Sequence, residues 1–233
     1  MFLAPHHFQA QRRFAESEIA AGIGLLSPFA WGVSAVALDR EALAGGTLAL
    51  RHAVGRFPDG TLLDVADAAH APPPLDLATH FSPAREAHVV HLVLPEWRHD
   101  AANVSDEAAG GWAGAGAAEP PPRWRATTRV VADEVSGLDQ AEVPVAVPRL
   151  RLALDDALPA GVVALPIARI RRDGSGHVVL DEHFVPPCLT IQASPRLLAF
   201  CDALVAMLEA KGAALAASLA PADAAVAGAG GGA

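Results

Sequence analysis

The sequence contains few of the features that mark secreted, membrane-spanning or nucleic-acid-binding proteins. Its two cysteines, Cys188 and Cys201, are too few for a disulfide framework, which favours a reducing compartment. No run approaches the roughly 18 apolar residues of a membrane span, and the first residues do not resemble a signal peptide. A net charge of −9 argues against a surface for nucleic acid or anionic lipid. We therefore expect a cytoplasmic protein that is not inserted into a membrane.

Motifs for catalysis and metal binding are also missing. There is no Cys-x-x-Cys, His-Glu-x-x-His, Gly-x-Ser-x-Gly or phosphate-binding loop. His88 and His91 are three residues apart in a predicted strand, which places them on opposite faces. Asp155 and Asp156 are neighbours whose side chains diverge in extended chain, so we expect them in solvent at a strand end. The sequence predicts no catalytic residue, no metal ligand and no cofactor.

The chain is rich in short segments that are either apolar or alternate between apolar and polar residues, and turns separate them. Apolar residues make up 52% of the 233, although many are alanine and only 5% are aromatic. Two turns carry clear signals, Phe57-Pro-Asp-Gly60 and Asp173-Gly-Ser-Gly176, because glycine tolerates a positive φ and aspartate bonds locally. The pattern predicts a mainly β protein, a sandwich or barrel. The predicted strands are residues 33–38, 47–54, 61–65, 88–95, 125–135, 143–154, 162–171 and 177–180.

A helix is predicted at each end of the strands. The first covers residues 5–21, carries a weak stripe of Phe8, Phe14 or Ala15, and Ile19, and ends at Gly22 and Gly24. The second follows Ser194 and Pro195, an N-cap with proline at the first helical position. Neither stripe is stable without a partner face. The seam of the second helix consists of Leu197, Cys201, Leu204, Leu208, Leu215 and Leu219.

Two segments have too little apolar bulk to pack. Residues 98–122 are rich in glycine, alanine and proline and predict a flexible excursion, and the tail at 221–233 is of low complexity. Trp112 lies in the first of these segments, where an exposed tryptophan is a plausible contact residue. A β-sandwich module that binds carbohydrate or peptide is therefore the alternative function. A hydrolase with a scattered site is a third, weaker possibility.

A series of short motifs is distributed along the chain. The motifs are Met1-Phe2-Leu3-x-Pro5-x-His7-Phe8-Gln9-x-Gln11, Pro28-Phe-x-Trp31-Gly32, Leu38-Asp39, Phe57-Pro-Asp-Gly-Thr61, Pro72-Pro-Pro-Leu75, Leu94-Pro95, Leu165-Pro-Ile-Ala-Arg169, Phe184-x-Pro-Pro and Ala193-Ser194-Pro195. Together and in this order they give the chain a specific resemblance to TssK, the baseplate adaptor family of bacterial type VI secretion systems. One departure is His6, where the family has glutamine before His7.

The resemblance implies a domain order and a set of partners. It predicts an N-terminal helix at 1–24, a sandwich at 25–192 like the shoulder of a phage receptor-binding protein, and the first bundle helix at 193–220. Residues 221–233 would be a disordered tail. The C-terminal head of the longer family members, which meets the membrane-complex proteins TssL and TssM, has no counterpart in these 233 residues.

The same resemblance implies a non-enzymatic homotrimer on the cytoplasmic side of the inner membrane. Its helices would surround the three-fold axis, and its sandwich would attach to the TssF–TssG wedge of the baseplate. The predicted interface residues are Phe2, Leu3, Pro5, His7, Phe8, Gln9, Gln11, Leu197, Cys201, Leu204, Leu208 and Leu215.

Overall fold

A computed structural model describes residues 3–66, 70–82, 84–106 and 120–219. The chain divides into two compact units, residues 1–194 and residues 195–233. The second unit is described by one helix, and the first contains all the strands. The helices are α1 (Pro5–Leu26), α2 (Arg40–Ala44), α3 (Leu77–His80), a short 3-10 helix (Ile191–Ala193) and α4 (Pro195–Leu219).

β-Strands are the main regular structure of the first unit, as the sequence predicts. Of the four sheets among the described residues, two form the body of the unit, a third has three strands, and the fourth has two short ones. The strands are β1 (Gly32–Leu38), β2 (Thr47–Leu48), β3 (Leu50–Arg56), β4 (Leu62–Val65), β5 (Leu75–Asp76), β6 (Ala87–Pro95), β7 (Val104–Ser105), β8 (Trp124–Ala132), β9 (Gln140–Pro148), β10 (Arg151–Leu154), β11 (Val162–Arg172) and β12 (Val178–Leu180).

Two sheets share one hydrophobic core and make a β-sandwich. One has the order β1-β3-β4 and the other β10-β6-β11-β12, with antiparallel pairing throughout. Alternate residues of β6 point inward, because side chains in a strand alternate between faces. The mainly β fold with a helix at each end is thus confirmed. The core includes Val33, Ala53, Phe57, Leu63, Val65, Val90, Leu92, Leu94, Leu152, Leu154, Leu165, Ile167 and Ile170.

Both predicted turns join antiparallel strands. In the turn between β3 and β4, Gly60 has a φ of +90° and the backbone N–H of Thr61 donates to the Asp59 carboxylate at 3.0 Å. In the turn between β11 and β12, the Asp173 carboxylate accepts from the N–H of Ser175 and of His177, each at 2.9 Å. Local aspartate bonds and a positive φ at glycine therefore set both hairpins, as predicted.

Two predicted strands, residues 47–54 and residues 143–154, are each two strands in different sheets. The first divides into β2, which pairs with β5, and β3, which pairs with β1 and β4. In the second, β9 ends at Pro148 and pairs with β8, whereas β10 begins at Arg151 and pairs with β6. The chain turns between them, where the N–H of Leu150 donates back to the Pro148 carbonyl at 3.1 Å. The prediction of a single strand was wrong because apolar residues continue through the turn and conceal it.

Helix α1 is longer than predicted, because it passes through Gly22 and Gly24 to Leu26. Neither glycine has a positive φ, so both continue the helix instead of terminating it. The helix stops at Ser27, whose backbone is extended at φ −147°, because the residue before a proline is excluded from the helical region and Pro28 follows.

Two short helices were not predicted, and each begins at an aspartate cap. Asp39 accepts hydrogen bonds from the N–H groups of Glu41 and Ala42, and Asp76 from that of Ala78. Helix α2 has only five residues and α3 only four, too few to show a helical period in the sequence.

Candidate assembly surfaces

Helix α1 contacts the sandwich unit through a side that carries no large apolar residue. The guanidinium carbon of Arg13 lies 5.2 Å from the ring centroid of Trp97, a cation–π contact. Ala20, seven residues further along the helix, lies beside Gly60. A Cβ added to Gly60 would lie 3.2 Å from the Cβ of Ala20. Residues seven apart share a side of a helix. The helix is thus held to its own unit by an arginine and an alanine.

The apolar residues of α1 remain in solvent. None of its 22 residues is buried. Phe8 is 60% exposed and Ile19 63% exposed, and Phe14, Leu25 and Leu26 are exposed as well. Phe8, Ile19 and Leu26 follow one another at steps of eleven and seven, so they form a row on one side of the helix. This row of aromatic and aliphatic side chains has no partner within the described part of the unit.

The N-terminal residues predicted at an interface are exposed wherever the structure describes them. Leu3, Pro5, Phe8, Gln9 and Gln11 are exposed, and Phe2 lies outside the described residues. His7 is also exposed, but it has a local role. Its Nδ1 accepts from the backbone N–H of Ala4 at 3.1 Å, and its own N–H donates to the Ala4 carbonyl at 2.9 Å. His7 therefore caps the start of α1, a role that the sequence analysis missed.

Helix α4 exposes more apolar surface than the predicted seam. Leu204, Leu208 and Leu215 of the seam are exposed, while Leu197 and Cys201 are half-buried, and the side chain of Leu219 is not described. Two further rows, each spaced by seven residues, lie on the flanks of the seam: Leu198 with Val205, and Phe200 with Met207. A helix with so wide an apolar arc is typical of one that contacts more than one neighbour. The sequence analysis did not predict these two rows, because the spacing of a single seam does not include them.

A two-stranded hairpin projects from the sandwich unit. Strands β8 and β9 pair over nine residues each, from Trp124↔Pro148 to Ala132↔Gln140, and the turn between them closes with the N–H of Asp133 donating to the Asp139 carbonyl. Both faces are exposed from residue 128 to residue 144. We call residues 124–148 the arm. At its turn, Val135 is 98% exposed.

The base of the arm is fixed by a buried arginine just before β8. Arg123, 3% exposed, donates to the Pro95 carbonyl at 2.7 Å, to the Asp59 carboxylate at 2.7 Å and to the Thr61 hydroxyl. One side chain thus connects the arm to the end of β6 and to the turn between β3 and β4. Charged groups this buried are stable only when their hydrogen bonds are satisfied, so the direction of the arm is well defined at its base.

A cluster of ionisable groups lies where β6 begins and β10 ends, and only its histidine is fully buried. The fully buried His88 contacts the Asp155 carboxylate through Nδ1 at 2.8 Å, Asp156 lies 3.5 Å from that nitrogen, and Arg85 lies 3.2 Å from the other Asp155 oxygen. Phe81 packs edge-on against the imidazole ring. Asp155 and Asp156 lie directly after β10, at a strand end as expected, and Asp156 is exposed. The expectation that both lie in solvent was wrong for Asp155, which is part-buried and paired with His88. The register of β6 and β10, which brings Val90 opposite Leu154, carries the carboxylate to the histidine.

This cluster is best explained as an ion-paired network, although its atoms suit a cation. His88, Asp155 and Asp156 place three potential ligand atoms within 4.8 Å of one another. Burial by itself raises the pKa of the Asp155 carboxyl, but the hydrogen bond and charge of His88 and the charge of Arg85 outweigh it, and the pKa lies below its ordinary value. The arginine already serves as the positive partner of this carboxylate.

Two further expectations concern membrane spans and Trp112. No helix among the described residues is long and apolar enough to cross a membrane. Trp112, the candidate ligand contact of the alternative function, lies outside the described residues.

Comparison with known proteins identifies the family. A family model described as bacterial type VI secretion (VC_A0110, EvfL, ImpJ, VasE) matches residues 7–231. The chain is similar to type VI secretion system baseplate component TssK1 of Pseudomonas aeruginosa, with 31% identity over 218 residues. It is also similar to a crystal structure of TssK, with a TM-score of 0.80 and 29% identity over 94% of this chain and 47% of that one.

A further similar chain belongs to the cryo-electron microscopy structure of a TssK–TssF–TssG baseplate subcomplex. The TM-score is 0.83 at 29% identity, and the match covers 93% of this chain and 69% of the other. The alignment with the Pseudomonas relative covers 93% of this chain but 46% of that protein, so the chain spans about half the length of the curated relative. Because the family model extends over nearly the whole chain, the protein belongs to the TssK family of bacterial type VI secretion proteins.

Proposed function

We propose that this chain is a non-enzymatic component of the type VI secretion baseplate that acts by binding other proteins. The observation that carries the proposal is the unpartnered apolar surface of α1 and α4. Large aromatic and aliphatic side chains on both helices are exposed, while the sandwich has a hydrophobic core of its own. Apolar surface of this extent on helices is typical of protein-binding faces.

The helices support a homotrimer in particular. Helix α4 carries a central seam and two flanking rows, which suits a helix that touches two neighbours in a bundle. We infer that α4 is the first helix of a neck bundle at residues 193–220, and that the N-terminal helix at 1–24 packs beside such a bundle or meets a partner. Residues 25–192 are then the sandwich domain.

The partners follow from the family. A structure to which this chain is similar is that of a TssK–TssF–TssG subcomplex. We infer that TssF and TssG also bind this protein, and that it works at the cytoplasmic side of the inner membrane. Contacts with TssL and TssM would require the head domain of longer relatives. The apolar helix faces favour binding over catalysis.

The trimer is tested by charge insertion into the α4 seam. Leu204→Asp should shift the mass measured by light scattering from trimer to monomer, because a carboxylate in an apolar helix interface is strongly destabilising. The matched control is Ala206→Asp, on the side of α4 that carries Asp202 and Glu209, and it should leave the mass unchanged. An unchanged mass for Leu204→Asp would contradict the assignment of this seam to self-association.

Binding to the wedge is tested by pull-down with purified TssF and TssG. We expect the wild-type protein to be retained and Leu204→Asp to be retained more weakly, because one trimer offers several copies of the binding surface. A well-folded wild-type protein that is not retained would overturn the proposed function.

A further inference from the structure

The turn between β3 and β4 contacts three other parts of the sandwich unit. The carboxylate of Asp59 accepts from the Arg123 guanidinium at 2.7 Å and the Thr61 hydroxyl accepts from the same group, so the turn holds the base of the arm. Gly60 lies beside α1. Phe57, at the start of the turn, is fully buried in the core of the sandwich. A single turn therefore connects the core, the arm and α1.

Gly60 provides the space that α1 occupies. A Cβ added to it would lie 2.9 Å from Nη2 of Arg56 as well as 3.2 Å from the Cβ of Ala20, so a larger residue would have to displace the arginine or the helix. Ala20 is half-buried, whereas every other residue of α1 is exposed. The partly covered residue of the helix thus lies at this glycine.

Arg56 fixes the chain that follows α1. Its Nη1 donates to the Ala30 carbonyl at 2.9 Å, and its Nε donates to the Gly60 carbonyl at 3.2 Å. Ala30 lies shortly after the end of the helix at Leu26. Because a planar guanidinium presents its N–H donors in a fixed geometry, the two carbonyls are held at a set distance from each other. The end of α1 is thereby connected to the turn.

A second series of contacts connects α1 with the arm. The guanidinium of Arg13 lies over the ring of Trp97, whose centroid is 5.3 Å from that of Trp124 in an edge-on arrangement. Trp124 is the first residue of β8, and the guanidinium carbon of Arg123 lies 5.2 Å from its ring centroid. Aromatic pairs and cation–π contacts of this kind are favourable. Two rings and two guanidinium groups therefore connect the helix to the base of the arm.

Two separated attachment points determine the direction of a helix. Arg13 and Ala20 are seven residues apart, which is about 10 Å along a helix axis at a rise of about 1.5 Å per residue. Both points lead to the base of the arm, one through Trp97 and the other through the turn at Gly60. The helix and the arm are therefore attached to the same group of residues.

We propose that the turn of residues 57–61 is a junction that holds α1 and the arm in one fixed orientation relative to each other. Arg56 and Gly60 are its positioning residues toward α1, as Arg123 is toward the arm. Both elements expose most of their surface, so a partner that contacts both meets surfaces that are already in place, and preorganisation strengthens binding. The inference goes beyond the baseplate function and does not depend on which proteins bind the chain.

The orientation is measured by double electron–electron resonance between a spin label on α1 and one on the arm. Ser17→Cys and Thr128→Cys provide label sites at exposed positions, in a chain from which Cys188→Ser and Cys201→Ala remove the native cysteines. Labelled protein is mixed with an excess of unlabelled protein, so that distances within one chain dominate the signal. We expect one narrow distance distribution.

Gly60→Ala should broaden this distribution or move its maximum by several ångströms, because the new Cβ needs the space of Ala20 and Arg56. The matched control is Gly176→Ala, in the turn between β11 and β12. The φ of Gly176 is +86°, close to the +90° of Gly60, but nothing lies within 4 Å of an added Cβ. The control therefore has similar backbone strain without the contact, and it should keep the wild-type distribution.

Two further substitutions leave the backbone of the turn unstrained. Ala20→Leu enlarges the same contact from the side of the helix and should move the distribution as Gly60→Ala does, even if the glycine variant does not fold. Ala21→Leu, at the exposed neighbouring position, should not. Arg56→Ala should broaden the distribution, and Arg56→Lys should restore it only in part, because an ammonium lacks the fork that reaches both carbonyls.

Urea unfolding of each variant separates positioning from general stability. A changed distance in a variant that is no less stable than Gly176→Ala would support the junction. Wild-type distances in Gly60→Ala, Ala20→Leu and Arg56→Ala would mean that other contacts hold α1, and would overturn the proposal. A broad distribution in the wild-type protein would also overturn it, because α1 would then move independently of the arm.

Discussion

The sandwich and helix α1 belong to the same unit, but the sandwich buries its large apolar residues and α1 exposes them. In the sandwich, inward residues of two sheets bury one another, and the buried Arg123 donates to the Pro95 carbonyl and the Asp59 carboxylate. In α1, no residue is buried, and the side that meets the sandwich carries Arg13 and Ala20. Since apolar burial is the dominant driving force of both folding and association, the sandwich can fold from its own contacts while the helix has surface left to bind other chains.

The arm gives a second contrast with the sandwich. Strand β6 has neighbours on both edges and a covered inner face, whereas β9 has one neighbour and two exposed faces over most of its length. Both segments have high β-propensity, rich in valine. Propensity alone therefore does not distinguish a core strand from a strand with two exposed faces. The difference lies in what packs against each face.

The largest effect should come from truncating a leucine in the core. Leu152→Ala, at a fully buried position of β10, should lower the free energy of unfolding by about 3 to 4 kcal/mol, because it leaves a cavity opposite Leu92. Leu26→Ala, the same substitution at the exposed end of α1, should lower it by less than about 0.5 kcal/mol. Urea unfolding followed by circular dichroism measures both. Equal losses would mean that α1 packs into the core.

A slightly smaller effect is expected at the base of the arm. Arg123→Ala should lower the free energy of unfolding by about 3 kcal/mol, because it leaves the Pro95 carbonyl and the Asp59 carboxylate without their buried donor. It should also speed hydrogen exchange in β8 and β9 more than in β6. Arg171→Ala serves as the control, since that arginine is exposed in β11. Unchanged exchange in the arm would show that Arg123 does not fix it.

The smallest effect concerns acid stability. The folded-state pKa of Asp155 lies below its ordinary value of about 3.8, so the ionised carboxylate contributes stability that is present above that value and lost as the pH falls through the folded pKa. Between pH 5 and pH 3, wild type should therefore lose more stability than Asp155→Asn, by no more than about 1 kcal/mol because the group is part-exposed. Asp64→Asn, exposed in β4, is the control. If the urea midpoints of wild type and Asp155→Asn change by the same amount between pH 5 and pH 3, the effect is excluded.

Local chemistry made much of the fold predictable. The two hairpin turns followed from aspartate and glycine, and Pro195 correctly marked the start of α4. The motif Phe57-Pro-Asp-Gly-Thr61 supported the family resemblance before its role was known, and the structure supplies a reason for it. Asp59 shapes the turn through one oxygen and holds Arg123 through the other.

Other features could not be predicted, because they depend on residues far apart in the chain. Arg123 and Asp59 are 64 positions apart, and His88 and Asp155 are 67 apart. Nothing near either pair indicates its partner, and only strand order and register bring them together. The side of α1 that contacts the sandwich could not be predicted either, because the partner of Arg13 is Trp97, which is distant in the sequence.

The sequence by itself determined the alternation of short strands and turns, the helices at both ends and the family, because these depend on spacing between near neighbours and on ordered motifs. The tertiary structure decided which apolar residues the chain buries and which it leaves exposed. That division depends on the packing of one surface against another, and amphipathic patterns are the same whether the covering surface comes from the same chain or from a partner.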